Sequence, residues 1–494
     1  MSATAPPAGP TSTTELKREF TLWSSFAFAF AFISPIVALY GIFALAITTA
    51  GPAFWWAFPL VFAGQLLVAL VFAVLVSRWP LEGSIYQWSR GLLGTGYGWF
   101  AGWAYLWTLV IAMTTVALGA AGFLAAIVGM SAPSGGQRAL IALGILVAGT
   151  LLNLVGRVAL KVFLTASIAA EVLGSVVLGA WLLLFHREQP LSVLWQGVAS
   201  GDGGGAGYLS LSGPFLVAVA FVGFSFVGFE SAGSIAEEVR DPRRAVPRAV
   251  IASLTLIAVV VMFSAAAIIL AIPDLGAVLS GDDADPVSST LTAQLGAGIA
   301  TPVELLFVIG FLASFLALQT SASRVVWAYA RDRALPGGRV LARLSPGTAQ
   351  PTTALLLVSG VGAALLLLSL VAGDVYTLMI NFTTGGFSVA FLFPLVGFVV
   401  VQLRRGWTPG PFTLGRATLP VSVVAAVWAL FQLFNIAWPR PVNEQRWLDW
   451  SVWIAVAVLA VVGAAVYASV RRGIVPVATP DEEATTVAHE GSRP

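Results

Sequence analysis

Twelve apolar runs, each long enough to cross a lipid bilayer, constrain this chain more than any other feature of its sequence. A helix of about 20 apolar residues crosses a bilayer core of about 30 Å. The runs, numbered here as predicted helices 1 to 12, cover residues 22–48, 53–77, 97–129, 138–156, 160–185, 214–239, 249–272, 303–330, 352–372, 375–402, 418–438 and 449–470. Only 10% of the 494 residues are charged, whereas soluble domains carry about 25%. We therefore predict an all-α integral membrane protein with twelve transmembrane helices.

The distribution of lysine and arginine predicts the orientation of these helices. If the N-terminus is cytoplasmic, the external loops hold only four basic residues, Arg138, Arg187, Arg440 and Arg446. The other 21 of the 25 basic residues then face the cytoplasm, and the external loop 273–302 carries four aspartates. Because basic residues concentrate in cytoplasmic loops, we predict that both termini are cytoplasmic. A chain of this kind without a targeting signal suits a plasma membrane.

Several classes of chemistry are disfavoured by the composition. The chain has no cysteine, and its two histidines, His186 and His489, lie outside the apolar runs. Disulfides and thiolate metal sites are excluded, and a membrane-embedded enzyme would lack a nucleophile–base pair. The phosphate-binding pattern GxxxxGK[ST] is absent from the sequence, which disfavours an ATP-driven pump. We expect no cofactor, no metal and no nucleic-acid partner, and carboxylates remain the candidate proton carriers.

Polar or helix-breaking residues of five predicted helices share one depth in the membrane. They are Ser34 with Pro35, Glu171, Glu230, Ser314 and Thr384. Each lies about ten residues, or about 15 Å along a helix, from the charged or polar flank of its apolar run. Transporters place substrate and ion sites at this midplane level, between discontinuous helices.

Predicted helices 1 and 6 carry matching interruptions. The segments AFAFISPIVALYG (29–41) and AVAFVGFSFVGFE (218–230) are both Phe/Ala runs broken by small residues or proline. Pro35 lacks an N–H and should open helix 1 near Ser34. Paired interruptions of this kind indicate an inverted-repeat carrier. The N–H end of an opened helix favours a carboxylate and its C=O end an ammonium group, so a small zwitterion fits.

The predicted substrate-binding residues lie at these two interruptions and on the helices that face them. They are Ile33, Ser34, Pro35, Ile36, Gly223, Phe224, Ser225, Phe226, Gly228, Trp103, Ala313 and Thr384. Gly223 to Gly228 form the predicted hinge of helix 6. The predicted proton or ion-coupling residues are Glu230, Glu171 and Ser314.

Each of these features also has a simpler interpretation when it is taken alone. Glycines in membrane helices commonly serve packing, as Gly228 could in a small-xxx-small pair, and Pro35 could be only a kink. Glu230 could form a structural ion pair with an arginine, and Glu171 a polar contact within its own helix. Ser314, like Thr384, could bond only to its own backbone.

Three segments resemble the amino acid–polyamine–organocation (APC) superfamily of permeases. They read VSRWPLEGSIYQWSRGLLG (76–94), GFESAGSIAEEVRDPRRAVPRAV (228–250) and SRVVWAYARDRALP (323–336). The resemblance implies a LeuT-like five-plus-five inverted repeat with helices 1 and 6 unwound. Residues 22–405 would then form the transport core, 418–470 two further helices, and 1–21 and 471–494 cytoplasmic tails, the second of them disordered.

Two departures within the superfamily bear on the substrate. The chain has Ser34-Pro35-Ile36 where many members have a G-x-G run, and AGPAFWWAF at 50–58. These segments resemble the amino acid/choline (GABA permease) branch, which implies GABA, choline or ethanolamine as alternatives to an α-amino acid.

Helix 6 is also similar to that of the arginine/agmatine exchanger. The similarity implies that Phe224 acts as a gate and that Glu230 senses protons. Ala313 stands where that exchanger has a guanidinium-stacking tryptophan, which weakens an arginine-type substrate. Glu171 stands where proton-coupled members have a lysine. Ser314 with helix 1 carbonyls could instead bind sodium.

The sequence therefore predicts a secondary active transporter of a small amino acid or related amine, with coupling to protons or exchange ranked above sodium. The alternative is a membrane sensor that binds the same ligand without moving it. The sequence does not indicate an oligomeric state.

Overall fold

The computed structural model describes residues 21–130, 133–197, 207–345, 350–371, 375–404, 406–440 and 446–475. The predicted N-terminal tail, apart from residue 21, and the predicted disordered tail beyond residue 475 lie outside these described residues. Helices dominate, and no strand occurs in the described ranges. The predicted all-α class is confirmed.

Twenty α-helices follow one another in the described chain. The first ten are α1 (Leu22–Ile33), α2 (Pro35–Tyr40), α3 (Phe43–Ala50), α4 (Ala57–Arg78), α5 (Ile85–Leu93), α6 (Thr95–Ile127), α7 (Gly135–Val155), α8 (Arg157–Glu171), α9 (Leu178–Phe185) and α10 (Pro214–Gly223). The others are α11 (Ser231–Ser234), α12 (Pro242–Ala271), α13 (Leu275–Ser280), α14 (Pro286–Leu295), α15 (Ala297–Arg331), α16 (Gly338–Leu341), α17 (Thr352–Leu368), α18 (Val375–Arg404), α19 (Thr418–Ala437) and α20 (Ser451–Val470). A π-helical segment, Val172–Val177, joins α8 to α9.

Eleven helical segments of the described chain are long and apolar enough to cross a membrane. They coincide with eleven of the twelve predicted spans. The remaining predicted span, 352–372, corresponds to α17, which is apolar but only 17 residues long. That length is at the lower limit of about 17 residues for a crossing helix. The protein is a multi-pass membrane protein, and the count of twelve stays a prediction.

The first predicted helix is broken where Pro35 required a break. Helix α1 ends at Ile33 and α2 begins at Pro35, with Ser34 between them at φ 52° and ψ 113°. A positive φ is uncommon for a residue with a side chain. Because Pro35 has no N–H and its ring clashes with the preceding turn, the helical hydrogen-bond ladder cannot continue through this point.

The sixth predicted helix is also broken. Helix α10 ends at Gly223, a 3-10 turn covers Phe224–Phe226, and the backbone is extended at Val227. Gly228 follows at φ +103°, where a Cβ atom would lie 2.2 Å from Cδ1 of Phe32. Only glycine fits both the backbone angle and the approach of helix α1. The two broken helices therefore cross in close contact at this residue.

The broken helices lie inside the bundle and are covered by longer helices. Helix α1 packs against α8, α12 and α15, whereas α2 packs against α12, α15 and the 3-10 turn Phe224–Phe226. Helix α20 lies at the periphery, and only Val452 and Gly463 of its side are buried. The inverted-repeat relation between the two halves stays a prediction.

Candidate functional site

Glu171 joins the end of α8 to the break in the first helix. The hydroxyl of Ser34 donates a hydrogen bond to Oε1 of Glu171, and the backbone N–H of Ile36 donates to Oε2 at 3.0 Å. Glu171 is buried, and a Cβ atom added to Gly310 of α15 would lie 3.0 Å from its Oε1. The carboxylate therefore contacts the first turn of α2 directly, and the simpler interpretation of a contact within its own helix is wrong.

Glu230 holds the break in the second helix in a similar way. The backbone N–H of Gly228 donates to Oε2 of Glu230 at 3.1 Å, and the hydroxyl of Tyr105 on α6 donates to Oε1 at 2.9 Å. Glu230 is fully buried. Its partners are a tyrosine and a backbone amide, so the structure does not support the alternative of an ion pair with arginine.

Two serines bind carbonyl groups of the first broken helix, one at the break and one near the end of α2. The hydroxyl of Ser314 on α15 donates to the carbonyl oxygen of Phe32 at 2.6 Å. The hydroxyl of Ser225, in the second break, donates to the carbonyl oxygen of Ala38. Ser314 therefore bonds across to another helix and not to its own backbone. Hydroxyl and carbonyl oxygens of this kind are the ligands that hard cations accept.

The other residues predicted at the breaks lie there, in the interior of the bundle. The buried members are Ile33, Pro35, Ile36, Phe224 and Phe226. Thr384 on α18 approaches Gly223 closely, since a Cβ atom added to Gly223 would lie 2.9 Å from Cγ2 of Thr384. Ala313 is buried on α15, next to Ser314 along the chain.

Trp103 lies away from this cluster. Its indole N–H donates to the carbonyl oxygen of Leu459 on α20 at 2.9 Å, and its ring stacks on that of Trp99. It lines an apolar groove between α6, α18 and α20 that opens at the side of the bundle. The structure therefore places Trp103 against the outer helix, and its role in substrate binding stays a prediction.

Sequence reasoning missed two polar residues near the breaks. Tyr105 lies about ten residues into α6, so the same depth count would have found it. Gln432 of α19 is buried, and its Nε2 would lie 3.1 Å from a Cβ atom on Gly223. Neither amide atom of Gln432 has a hydrogen-bond partner in the described chain. Its position in the middle of an apolar run could have identified Gln432 from the sequence.

A charged network closes the side predicted to be cytoplasmic. Arg324 of α15 binds Glu238, just after α11, at 3.1 Å, and both side chains are buried. Seven residues further along α15, Arg331 binds Glu237 at 3.0 Å, but this pair is 34% and 24% exposed. These two ion pairs connect the end of the second broken helix to α15.

Glu82, in the connection between α4 and α5, belongs to this network. Its side chain is fully buried, and neither carboxylate oxygen has a hydrogen-bond partner in the described chain. Burial raises the pKa of Glu82 well above its usual range, and the nearby charge of Glu238 raises it further, while Arg324 opposes the shift. Glu82 therefore favours the protonated form.

The opposite side of the bundle is also closed over the breaks. The hydroxyl of Tyr376 donates to the carbonyl oxygen of Gly41, just after α2, at 2.9 Å. The guanidinium of Arg138 lies 4.2 Å from the centre of the Tyr376 ring. The two breaks are thus enclosed from both faces of the bundle.

A family model described as "Amino acid permease" matches residues 20–464. The chain belongs to the amino acid permease family. The match confirms the resemblance to the APC superfamily, while the branch within it stays a prediction. The protein is therefore a membrane transporter and not an enzyme.

Similar proteins come from yeast, bacteria and plants. An uncharacterized amino-acid permease of Schizosaccharomyces pombe is 26% identical over 454 residues, which cover 89% of this chain and 82% of the relative. The branched-chain amino acid permease BcaP of Bacillus subtilis is 26% identical over 430 residues, with 83% and 86% covered. The amino-acid permease BAT1 homolog of Oryza sativa is 25% identical over 456 residues, with 87% of each chain covered.

Proposed function

We propose that the protein is a secondary active transporter that moves a small amino acid or related amine across the plasma membrane by alternating access. The observation that carries the proposal is the meeting of two broken helices around buried carboxylates. Ser34 interrupts the first helix with a positive φ, and Gly228 in the second break lies against Phe32 at the end of α1. Where a helix is broken at the midplane of the membrane, its backbone N–H and C=O groups can bind polar groups of the substrate.

The closed faces of the bundle suit alternating access. Ion pairs seal the side with Arg324 and Arg331, and Tyr376 with Arg138 covers the other. Each barrier is built from side chains that can separate without unfolding a helix. We propose that one barrier opens at a time, that Phe224 closes over the substrate, and that both termini are cytoplasmic.

The coupling residues proposed are Glu230 and Glu171, with exchange or proton coupling ranked above sodium. Both carboxylates touch backbone groups of a break, so a change in their protonation would change the break itself. Ser314 binds the Phe32 carbonyl in this structure, and the same two oxygens would be ligands if sodium were the coupling ion.

The printed names of relatives support an amino acid as one substrate class, since BcaP of Bacillus subtilis is named a branched-chain amino acid permease. The resemblance to the GABA permease branch supports amines such as choline, ethanolamine or GABA. Both classes carry an amino or ammonium group on a small skeleton.

Counterflow in proteoliposomes tests the proposal without knowledge of the coupling ion. Vesicles are loaded with one unlabelled compound, and uptake of the same labelled compound is measured for α-amino acids, GABA, choline, ethanolamine and putrescine. Uptake above that of protein-free vesicles, for at least one compound, is expected. A purified protein that binds a compound but never moves it would be a sensor, and the transport proposal would be wrong.

A further inference from the structure

The connection between α4 and α5 is held between two helices on the side predicted to be cytoplasmic. A Cβ atom added to Gly83 would lie 3.1 Å from Cβ of Ala328 on α15. A Cβ atom added to Gly233 of α11 would lie 3.2 Å from Cβ of Ser84. Glu82 directly precedes these contacts in the chain, so any separation of α11 from α15 changes its surroundings.

Acidic groups outnumber basic groups where this connection meets α11 and α15. Glu238 is paired with Arg324, and Glu237 with Arg331. The backbone N–H of Glu82 donates to Oε1 of Glu237 at 3.1 Å. The charges of all four paired side chains act on the Glu82 carboxyl group. Three carboxyl groups therefore share two guanidinium groups.

The neighbouring ion pair offers Glu82 no spare positive charge. Asp332 lies 3.9 Å from Arg331, Oδ1 to Nε, and is itself paired with Arg90. The side chain of Glu82 is fully buried, and neither of its oxygens accepts a hydrogen bond from any residue in the described ranges. An ionised carboxylate in such a place is strongly unfavourable. The group therefore carries a proton while the helices are in contact.

We propose that Glu82 is a proton-binding site that holds this side of the protein closed in acid and releases its proton to water when α11 separates from α15. The bond that breaks is the O–H bond of the carboxyl group, and a hydrated carboxylate remains. Because Glu82 lies on the side predicted to be cytoplasmic, the proton comes from the cytoplasm and returns to it. It is therefore not transported, unlike a proton carried by Glu230 or Glu171. This inference rests on the proposed transport function only in requiring that this side opens.

The direction of the pH dependence follows from the two environments of Glu82. In the closed state, burial raises the pKa of Glu82 well above its usual range, Glu238 adds to the shift, Arg324 opposes it, and Glu237 and Arg331 act in the same two directions. In the open state, water reaches the group and its pKa returns to about 4.3. Opening therefore releases a proton. Its equilibrium constant should rise by up to about tenfold per pH unit between the two pKa values and level off above the higher one.

Labelling of one introduced cysteine measures the opening, because the natural chain has none. Ser321 of α15 is fully buried, and its hydroxyl lies 2.9 Å from that of Ser234 on α11. The rate of maleimide labelling of Ser321→Cys is measured in the full chain at pH 5 and pH 7, alone and combined with Glu82→Gln. The thiol's own change in reactivity with pH is common to both proteins, so the ratio of their rates reports Glu82. This ratio should rise by about tenfold or more between pH 5 and pH 7.

Two controls separate a proton site from a structural role. Glu188→Gln removes an exposed glutamate on the side predicted to be external and should leave the rise unchanged. The reporter unfolded in urea gives the thiol's own pH dependence, so the rise can also be measured without the Glu82 variant. A purely structural role of Glu82 would change labelling by the same factor at both pH values.

The possible results distinguish this inference from the transport proposal. The inference is overturned if the pH profiles with and without Glu82→Gln are parallel, or if the folded reporter is labelled at neither pH. Labelling that depends on Glu82 and pH, in a protein without counterflow, would leave the inference intact and refute the transport proposal. Counterflow with parallel profiles would do the reverse.

Discussion

The closed side that is predicted to be cytoplasmic allows a quantitative test, because neighbouring glutamates form one buried and one partly exposed ion pair with α15. Side-chain exposure is 3% and 0% for Arg324 with Glu238, and 34% and 24% for Arg331 with Glu237. Removing one partner of a buried pair costs about 3–5 kcal/mol, because the other charge is left without compensation. An exposed pair contributes about 0.2–1 kcal/mol.

These energies predict different shifts toward a state open on this side. In the closed state of Glu238→Gln, the Arg324 charge is buried without its carboxylate partner, and opening lets water reach it. A cost of about 3–5 kcal/mol corresponds to a population shift of about 10² to 10³ or more, at tenfold per 1.4 kcal/mol. The matched variant Glu237→Gln should shift the population by about fivefold at most.

Opening of this side can be measured by labelling a single introduced cysteine, because the natural chain has no cysteine. Ser321 of α15 is fully buried, and its hydroxyl lies 2.9 Å from that of Ser234 on α11. A single Ser321→Cys substitution is therefore a unique reporter of opening between these helices. The rate of maleimide labelling is measured in the reporter alone and with each glutamate variant. The reasoning is refuted if Glu237→Gln accelerates labelling as much as Glu238→Gln does, or if neither changes it.

Three further changes have effects that follow from single contacts. Gly228→Ala should lower the melting temperature and abolish transport, because the added Cβ would lie 2.2 Å from the Phe32 ring. The control for the backbone angle is Gly281→Ala, where φ is +83° and no atom lies within 4 Å of the added Cβ. This control should lower the melting temperature much less. Glu82→Gln should stabilise the protein by about 1–3 kcal/mol at neutral pH, because Glu82 is ionised in the unfolded chain and must take up a proton on folding, whereas glutamine is neutral in both states. With the folded pKa of Glu82 raised, the free energy of unfolding should fall as pH rises from about 4 through that pKa, and melting curves of the variant should lack this slope. Gln432→Leu should raise the melting temperature, because it removes two buried amide atoms without hydrogen-bond partners. A lower melting temperature would contradict this reasoning.

The sequence predicted the backbone features of the site well, because they depend on local chemistry. A proline without an N–H required the break at Ser34, and the glycines at 223 and 228 permitted the break in the second helix. Counting residues from charged flanks placed Glu171 and Glu230 near those breaks, since helical rise is constant. The same count would have found Tyr105.

The partners of these residues could not be predicted from the sequence. Ser34 and Glu171 are 137 positions apart, and their contact depends on how α8 packs against α1. Trp103 was predicted to line the site, but the rotation of α6 about its axis turns the indole toward α20. Depth along a helix can be counted from the sequence, whereas the direction of a side chain around the helix axis requires the packing of its neighbours.

The hydrogen bonds of Ser314 and Ser225 to the first broken helix restrict how that helix can move. Ser314 ties the Phe32 carbonyl, at the end of α1, to α15. Ser225 ties the Ala38 carbonyl, within α2, to the second broken helix. The two halves of one broken helix are thus fastened to different neighbours, with the single residue Ser34 as the pivot between them. Any movement of the second broken helix relative to α15 must therefore bend the chain at Ser34 or break one of these two hydrogen bonds.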